Sequence, residues 1–146
     1  MSVYKVTSEL LDEGAQVLTK TAGHQFLIDE PVSSHGTDKA PNPVEYLLGS
    51  LGGCLAITIK DQAHKRHISL SHVTVAVSGD LEMGGLRDPK IHNQFTDIVY
   101  HVAMTSDLSA AQQDQFLNDC VALCPVHGTL TTEVPVHGGM VSAISE

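Results

Sequence analysis

Between Asn42 and Arg66 the chain carries a helix signal that is apolar on nearly every side and broken by glycines. Asn42 suits the N-cap, Pro43 the first helical position, and Glu45 the N3 half of a capping box. Tyr46, Leu47, Leu48, Leu51, Leu55, Ile57 and Ile59 follow, and no charged residue intervenes between Glu45 and Lys60. A helix without a polar face is expected to be buried all round. Gly49, Gly52 and Gly53 lie inside it, each costing about 1 kcal/mol of helix propensity. Glycines kept at that cost point to close approach by another backbone. A chain of 146 residues, with aromatics only 4% of them, has little else to cover such a helix. The expectation is an obligate, interwoven homodimer.

Around this helix the pattern is strand-like. Val3 to Leu11, Ala15 to Thr21 and His24 to Pro31 are separated by Asp12-Glu13-Gly14 and Ala22-Gly23, which suggests a meander. Residues 32–42 hold Ser, Gly, Asp and Pro and read as a loop. After the helix, Ser71 to Ser78 alternates, with Val73, Val75 and Val77 on one face. Ile91 to Met104 alternates through Ile98, Tyr100 and Val102. A second helix is predicted from about Ser109, its cap, to Leu123, because Pro125 disfavours helix at Cys124. A last strand is expected near Val134 to Ile144. The order β-β-β-α-β-β-α-β, mostly hairpin-connected, is that of an α+β fold. No repeat or linker interrupts it, so residues 1–146 read as a single domain.

Charge narrows the partners. The formal net charge is -9, and no Lys/Arg cluster offsets it. The densest basic stretch, Lys60 to Arg66, also contains Asp61. Neither nucleic acid nor an anionic membrane is an expected partner. No apolar run reaches the roughly 18 residues of a membrane span. The first residues lack the blocks of a signal peptide, so a cytoplasmic location is expected. No P-loop, Gly-x-Gly-x-x-Gly or Gly-x-Ser-x-Gly is present, which leaves nucleotide-dependent and serine-hydrolase chemistry without support.

The chemistry-bearing candidates are Cys54, Cys120 and Cys124. An odd, small number of cysteines argues for thiols rather than a disulfide scaffold. Cys54, inside the first helix, reads on its own as packing, since free Cys behaves as a small hydrophobe. Cys124 stands at a helix-ending proline, and the segment after Pro125 can begin a new turn of helix. A thiol at such an N-terminus has a lowered pKa, and His127 is close enough in sequence to stabilise its thiolate. The other reading is a helix-ending Cys-Pro with a surface His. Cys120, Cys124 and His127, with Cys54 as a fourth ligand, also form a conceivable zinc set. Pro125 interrupts the helix that would align them, and no Cys-x-x-Cys spacing exists. The nine His are scattered.

Three stretches carry a resemblance to a known family: HQFLIDEP from His24 to Pro31, DKAPNPVEYLLGSLGGC from Asp38 to Cys54, and CPVHGTL from Cys124 to Leu130. Together they resemble the OsmC/Ohr family, the osmotically induced and organic-hydroperoxide-resistance proteins, over essentially the whole chain. The resemblance implies an intertwined homodimer, with two central helices wrapped by β-sheets and active sites at the subunit interface. It also implies a thiol peroxidase for organic hydroperoxides, with Cys54 peroxidatic, Cys124 resolving and an external dithiol as reductant. No metal, haem or flavin is implied. Two positions depart from the family pattern. Where its peroxidases carry an Arg in the N-terminal hairpin, this chain has Gly14-Ala15-Gln16. Their Glu directly follows the proline matching Pro43, whereas here Val44 stands there and Glu45 comes next.

Glu45, the remaining candidate for the catalytic set, precedes Cys54 by nine positions. On a regular helix that is about half a turn round the axis and about 13 Å along it. Action on a thiol would require a kink in the helix or the other subunit, and the N3 half of a capping box suits Glu45 better. The rival to a peroxidase is a non-peroxidatic ligand-binding or redox-sensing dimer, which the missing Arg favours.

Overall fold

In the computed structural model, which describes residues 1–144, the chain forms two compact units. One comprises Met1–Leu47 with the segment from Val136 onward, and the other Leu48–Pro135.

The first unit is built on a meander. Strands β1 (Thr7–Leu10), β2 (Val17–Thr21) and β3 (His24–Ile28) pair antiparallel in that order. The β2–β3 turn has two residues, Ala22 (φ 42°) and Gly23 (φ 82°). Positive φ at both central positions gives the turn the twist its strands require, and glycine takes that conformation without strain.

The loop after β3 is organised by Asp29. Its side chain is fully buried and accepts hydrogen bonds from the backbone N–H groups of Glu30, Thr37 and Lys39 and from the Thr37 hydroxyl. The Thr37 hydroxyl foremost, and then these N–H groups, hold the carboxyl far below the usual range against the opposing effect of burial. The loop delivers the chain to α1 (Pro43–Lys65) through a capping box. Glu45 N donates to Asn42 Oδ1 and Asn42 N to Glu45 Oε2, each at 2.9 Å. Within the same unit, Tyr46 donates its hydroxyl to Leu27 O at 2.6 Å and sets its ring 5.1 Å from Phe26.

The second unit packs the rest of α1 on a two-stranded sheet. Strands β4 (Leu70–Glu82) and β5 (Gln94–Ser106) pair antiparallel; β4 runs longer than the alternation predicts, and β5 begins and ends later than expected. Their inward residues include Val73, Val75, Val77, Ile98, Tyr100 and Val102. Leu51, Gly52, Leu55, Ile59 and Ala63 form the buried seam of α1. Gly52 is there because a Cβ would meet Val77 Cγ2 at 3.3 Å.

Helix α2 (Ala110–Leu123) begins with a second capping box, between Ser109 and Gln112. Phe116 and Cys120 of α2 bury against Ile59 and Ala63. Arg66, just past α1, lies 2.6 Å from Asp119 and stacks over the Phe116 ring. Cys124 is extended (ψ 111°), as a residue before proline must be, and α3 (Pro125–Leu130) follows.

Two expectations are corrected. The stretch Val134 to Ile144 is not a strand: it is irregular and exposed, and no described sheet provides it with a neighbour. Isolated β-patterned chain has no partner for its backbone groups. Nor is α1 buried all round, for Gly49, Gly53 and Ile57 are exposed, Ile57 by 64%. Among the described residues no helix is long and apolar enough to cross a membrane.

The loop's dependence on a charged Asp29 has a pH signature. A depressed carboxyl contributes stability that is present above the unfolded-state pKa, about 4, and is lost as pH falls through the lower folded value. Asp29→Asn is expected to lower Tm at pH 7 and to flatten the decline of Tm below pH ~4. Parallel acid limbs for the two proteins would show that the carboxylate does not anchor the loop.

Candidate functional site

Sulfur chemistry gathers in the second unit, where Leu51, Leu55 and Cys124 form a buried cluster with Cys54, Val75, Val77, Ile98, Tyr100, Val121 and Val126 packed on it. Cys54 flanks the buried seam of α1 and is half-buried, whereas Cys124 is 2% exposed. Residues 70 apart in sequence thus meet: Cys124 donates its S–H to Cys54 Sγ across 2.9 Å, and both are free thiols.

The Cys124 sulfur also caps α3, accepting the N–H of His127 at 3.4 Å. The cap was expected to lower the pKa of Cys124, and the site corrects this. Burial raises it first, the hydrogen bond to Cys54 raises it further, and the N–H of His127 offsets them only in part. Cys124 therefore holds its proton. His127 meets the thiol through its backbone, while its ring stands edge-on to Tyr100 at 6.2 Å between centroids.

Of the other candidates, Cys120 is fully buried in a separate cluster with Ile59, Ala63 and Phe116, and burial pushes its thiol up. Cys120 and Cys124 thus belong to different clusters, and among the described residues no three His, Cys, Asp or Glu side chains are placed to hold a metal ion. The Glu45 carboxylate is engaged at the Asn42 N–H in the α1 cap. Gln16, in the N-terminal hairpin, is buried in the first unit and donates to Thr37 Oγ1 at 2.7 Å. Sequence reasoning missed the parts played by Leu51 and Tyr100 beside the thiols. Tyr100 was visible as an inward residue of the β5 alternation, but nothing local marks which inward residue meets a cysteine.

Raised thiols make the reduced protein alkali-sensitive. A raised folded-state pKa contributes stability that is complete below the unfolded thiol value, about 8.5, and is lost as pH rises through the folded value. The Tm of the reduced protein is expected to fall above pH ~9, less steeply in Cys124→Ser. A Tm independent of pH to about 10.5 in wild type would contradict burial of protonated thiols.

Comparison with known proteins gives the site its context. A family model described as OsmC-like protein matches residues 36–137. An OsmC-like protein from Mycoplasma pneumoniae superposes with TM-score 0.77 at 22% identity, over 88% of this chain and 87% of its own. An OsmC-like protein of unknown function from Vibrio cholerae gives 0.73 at 16% identity, over 91% and 96%. An organic hydroperoxide resistance protein from Legionella pneumophila gives 0.69 at 16% identity, over 90% of each chain. No curated protein sequence matches the chain.

Proposed function

The chain belongs to the OsmC-like protein family, and on that premise we propose that Cys54 and Cys124 are the redox pair of a thiol peroxidase for organic hydroperoxides. The observation that carries the proposal is the 2.9 Å contact between the two sulfurs, which brings them within reach of a bond. Cys54 is also the more exposed of the two.

In the proposed cycle Cys54 thiolate attacks the distal oxygen of the hydroperoxide. The O–O bond breaks, the organic oxygen leaves and takes a proton to become an alcohol, and Cys54 becomes a sulfenic acid. The Cys124 thiol condenses with it, forming the disulfide and releasing water. An external dithiol, itself oxidised to a disulfide, restores both thiols by exchange.

The proposal includes a homodimer. Gly49, Gly53 and Ile57 are exposed on α1, and a Cβ on either glycine would meet nothing within 4 Å. Within a lone chain these glycines weaken the helix for no packing gain. A second copy seated on them would explain both the glycines and the uncovered Ile57. Glu45 enters the scheme only through that second copy, since in its own chain it caps α1.

One feature favours a second reading, a redox-sensing or ligand-binding dimer. The family resemblance looks for an Arg in the N-terminal hairpin, whereas this chain's two arginines lie elsewhere: Arg66 pairs with Asp119, and Arg87 follows the short 3-10 turn between β4 and β5.

Stopped-flow mixing of reduced protein with cumene hydroperoxide separates the readings. The peroxidase reading expects Cys54 to be oxidised, more slowly than in Arg-containing relatives. Cys54→Ser should be inert, and Cys124→Ser should stop after one turnover, one oxygen heavier by mass. No reaction with any organic hydroperoxide would leave the sensing or binding reading.

The dimer has its own test. Gly53→Ala should stabilise an uncovered helix by about 1 kcal/mol, but should destabilise one packed against a second copy. Loss of Tm together with a shift toward monomer in sedimentation is the expected result. A stable wild-type monomer at micromolar concentration would refute the dimer.

A further inference from the structure

Two thiols in contact are a chelating site as well as a redox pair. Cys54 Sγ and Cys124 Sγ stand 2.9 Å apart, both free, and the half-buried Cys54 gives the pair its access to solvent. Leu51 and Leu55 are buried with Cys124, and Val75, Val77, Val121 and Val126 pack on the same cluster. The sulfurs thus sit among apolar side chains.

No third ligand accompanies them. Cys120 is fully buried in the separate cluster of Ile59, Ala63 and Phe116. Among the described residues, no three His, Cys, Asp or Glu side chains are placed to hold a metal ion. Sulfur ligands select soft, thiophilic centres, and a site of two sulfurs selects further among these. Zinc in a closed site takes four ligands, and half of them are lacking here. Copper(I) held by two thiolates leaves a net negative charge among apolar side chains, which is costly. Arsenous acid bound to two sulfurs keeps a hydroxyl, which the surrounding leucines and valines cannot hydrogen-bond. A monosubstituted trivalent arsenical, R–As(OH)2, has one replaceable hydroxyl for each thiol, and its third substituent is an organic group.

We infer that Cys54 and Cys124 form a bidentate site for such organoarsenicals, selective over inorganic arsenite and zinc. At each thiol an As–S bond replaces an As–O bond. The thiol proton leaves with the hydroxyl as water, and no electrons are transferred. The product, R–As(S)2, is neutral, so no charge is buried with it. The second As–S bond closes within the chain, and an intramolecular second step strengthens binding by about 10²- to 10⁴-fold over a single thiol. The inference rests on the contact between the sulfurs and not on the peroxidase reading.

Phenylarsonous acid, the hydrate of phenylarsine oxide, is the probe. It is mixed with reduced protein in the presence of excess glutathione, a monothiol competitor, and the intact mass is read under native conditions. A single phenylarsenic per chain is expected, removable by 2,3-dimercaptopropanol. Cys120→Ser should keep the adduct, whereas Cys54→Ser and Cys124→Ser should each bind about a hundredfold more weakly or worse. The Tm of the reduced wild-type protein should rise, because the folded chain holds these thiols together. Arsenite and zinc(II) at equal concentration should fail to displace the probe.

A glutathione-resistant adduct in Cys54→Ser or Cys124→Ser would move the arsenic to Cys120 and overturn the site. A lowered Tm would do the same, since Cys120 and Cys124 lie in different clusters when folded and can be bridged only when the chain unfolds. So would the absence of any adduct. Displacement by arsenite or zinc would overturn the selectivity. No step uses a hydroperoxide, so the two readings fail separately. An adduct on a protein inert to hydroperoxides would uphold the site and refute the peroxidase, and peroxidase turnover by a protein that forms no adduct would do the reverse.

Discussion

The seam where α1 lies on β4 and β5 governs the second unit. Leu51, Leu55, Ile59 and Ala63 recur every four residues along one side of the helix, and each is buried. Gly52 lets that side descend until a Cβ would touch Val77. Each buried leucine or isoleucine in such a seam is worth about 1.5–3 kcal/mol of apolar transfer. The same geometry sets the exposure of Cys54. One position before Leu55, it flanks the seam and is neither sealed in the core nor free in solvent.

Cys124 meets Cys54 because of a corner in the chain. Proline cannot continue α2, and it forces the residue before it into an extended conformation. That residue is Cys124, which ends α2 and caps α3, so its sulfur is fixed from both sides. Fixing it there also buries it, and burial outweighs the N–H groups of the cap. A Cys-Pro corner in a wetter setting would yield an activated thiol. In this one it yields a buried thiol with a raised pKa, directed at Cys54.

Local signals were legible in the sequence, and pairings over distance were not. Asn42, Pro43 and Glu45 announced the start of α1, Ser109 that of α2, and Pro125 the corner, because caps and prolines act within a few residues. Ala22-Gly23 marked the hairpin for the same reason. Asp29 stayed hidden, since its partners lie up to ten residues away in a loop whose shape exists only once they bind it. The meeting of Cys54 and Cys124 was accessible only through the family resemblance, as no spacing rule spans 70 residues. The lowered thiol pKa failed for a physical reason: sequence shows a helix terminus but not how deeply it will be buried.

The two remaining mismatches share a form. The side of α1 with Gly49, Gly53 and Ile57, and the stretch from Val134 to Ile144, both carry sequences suited to burial or pairing, and both are exposed in the chain alone. Val136 and Met140 are almost wholly uncovered, at 91% and 99%. An error in reading apolar periodicity would scatter along the chain. These failures fall where a β-patterned segment lacks a neighbouring strand and where an apolar helix lacks a cover. A second copy of the chain can supply both, because strands pair and helices pack by rules indifferent to whether the partner is covalently linked. The incompleteness of the single chain is therefore part of the argument for the proposed dimer.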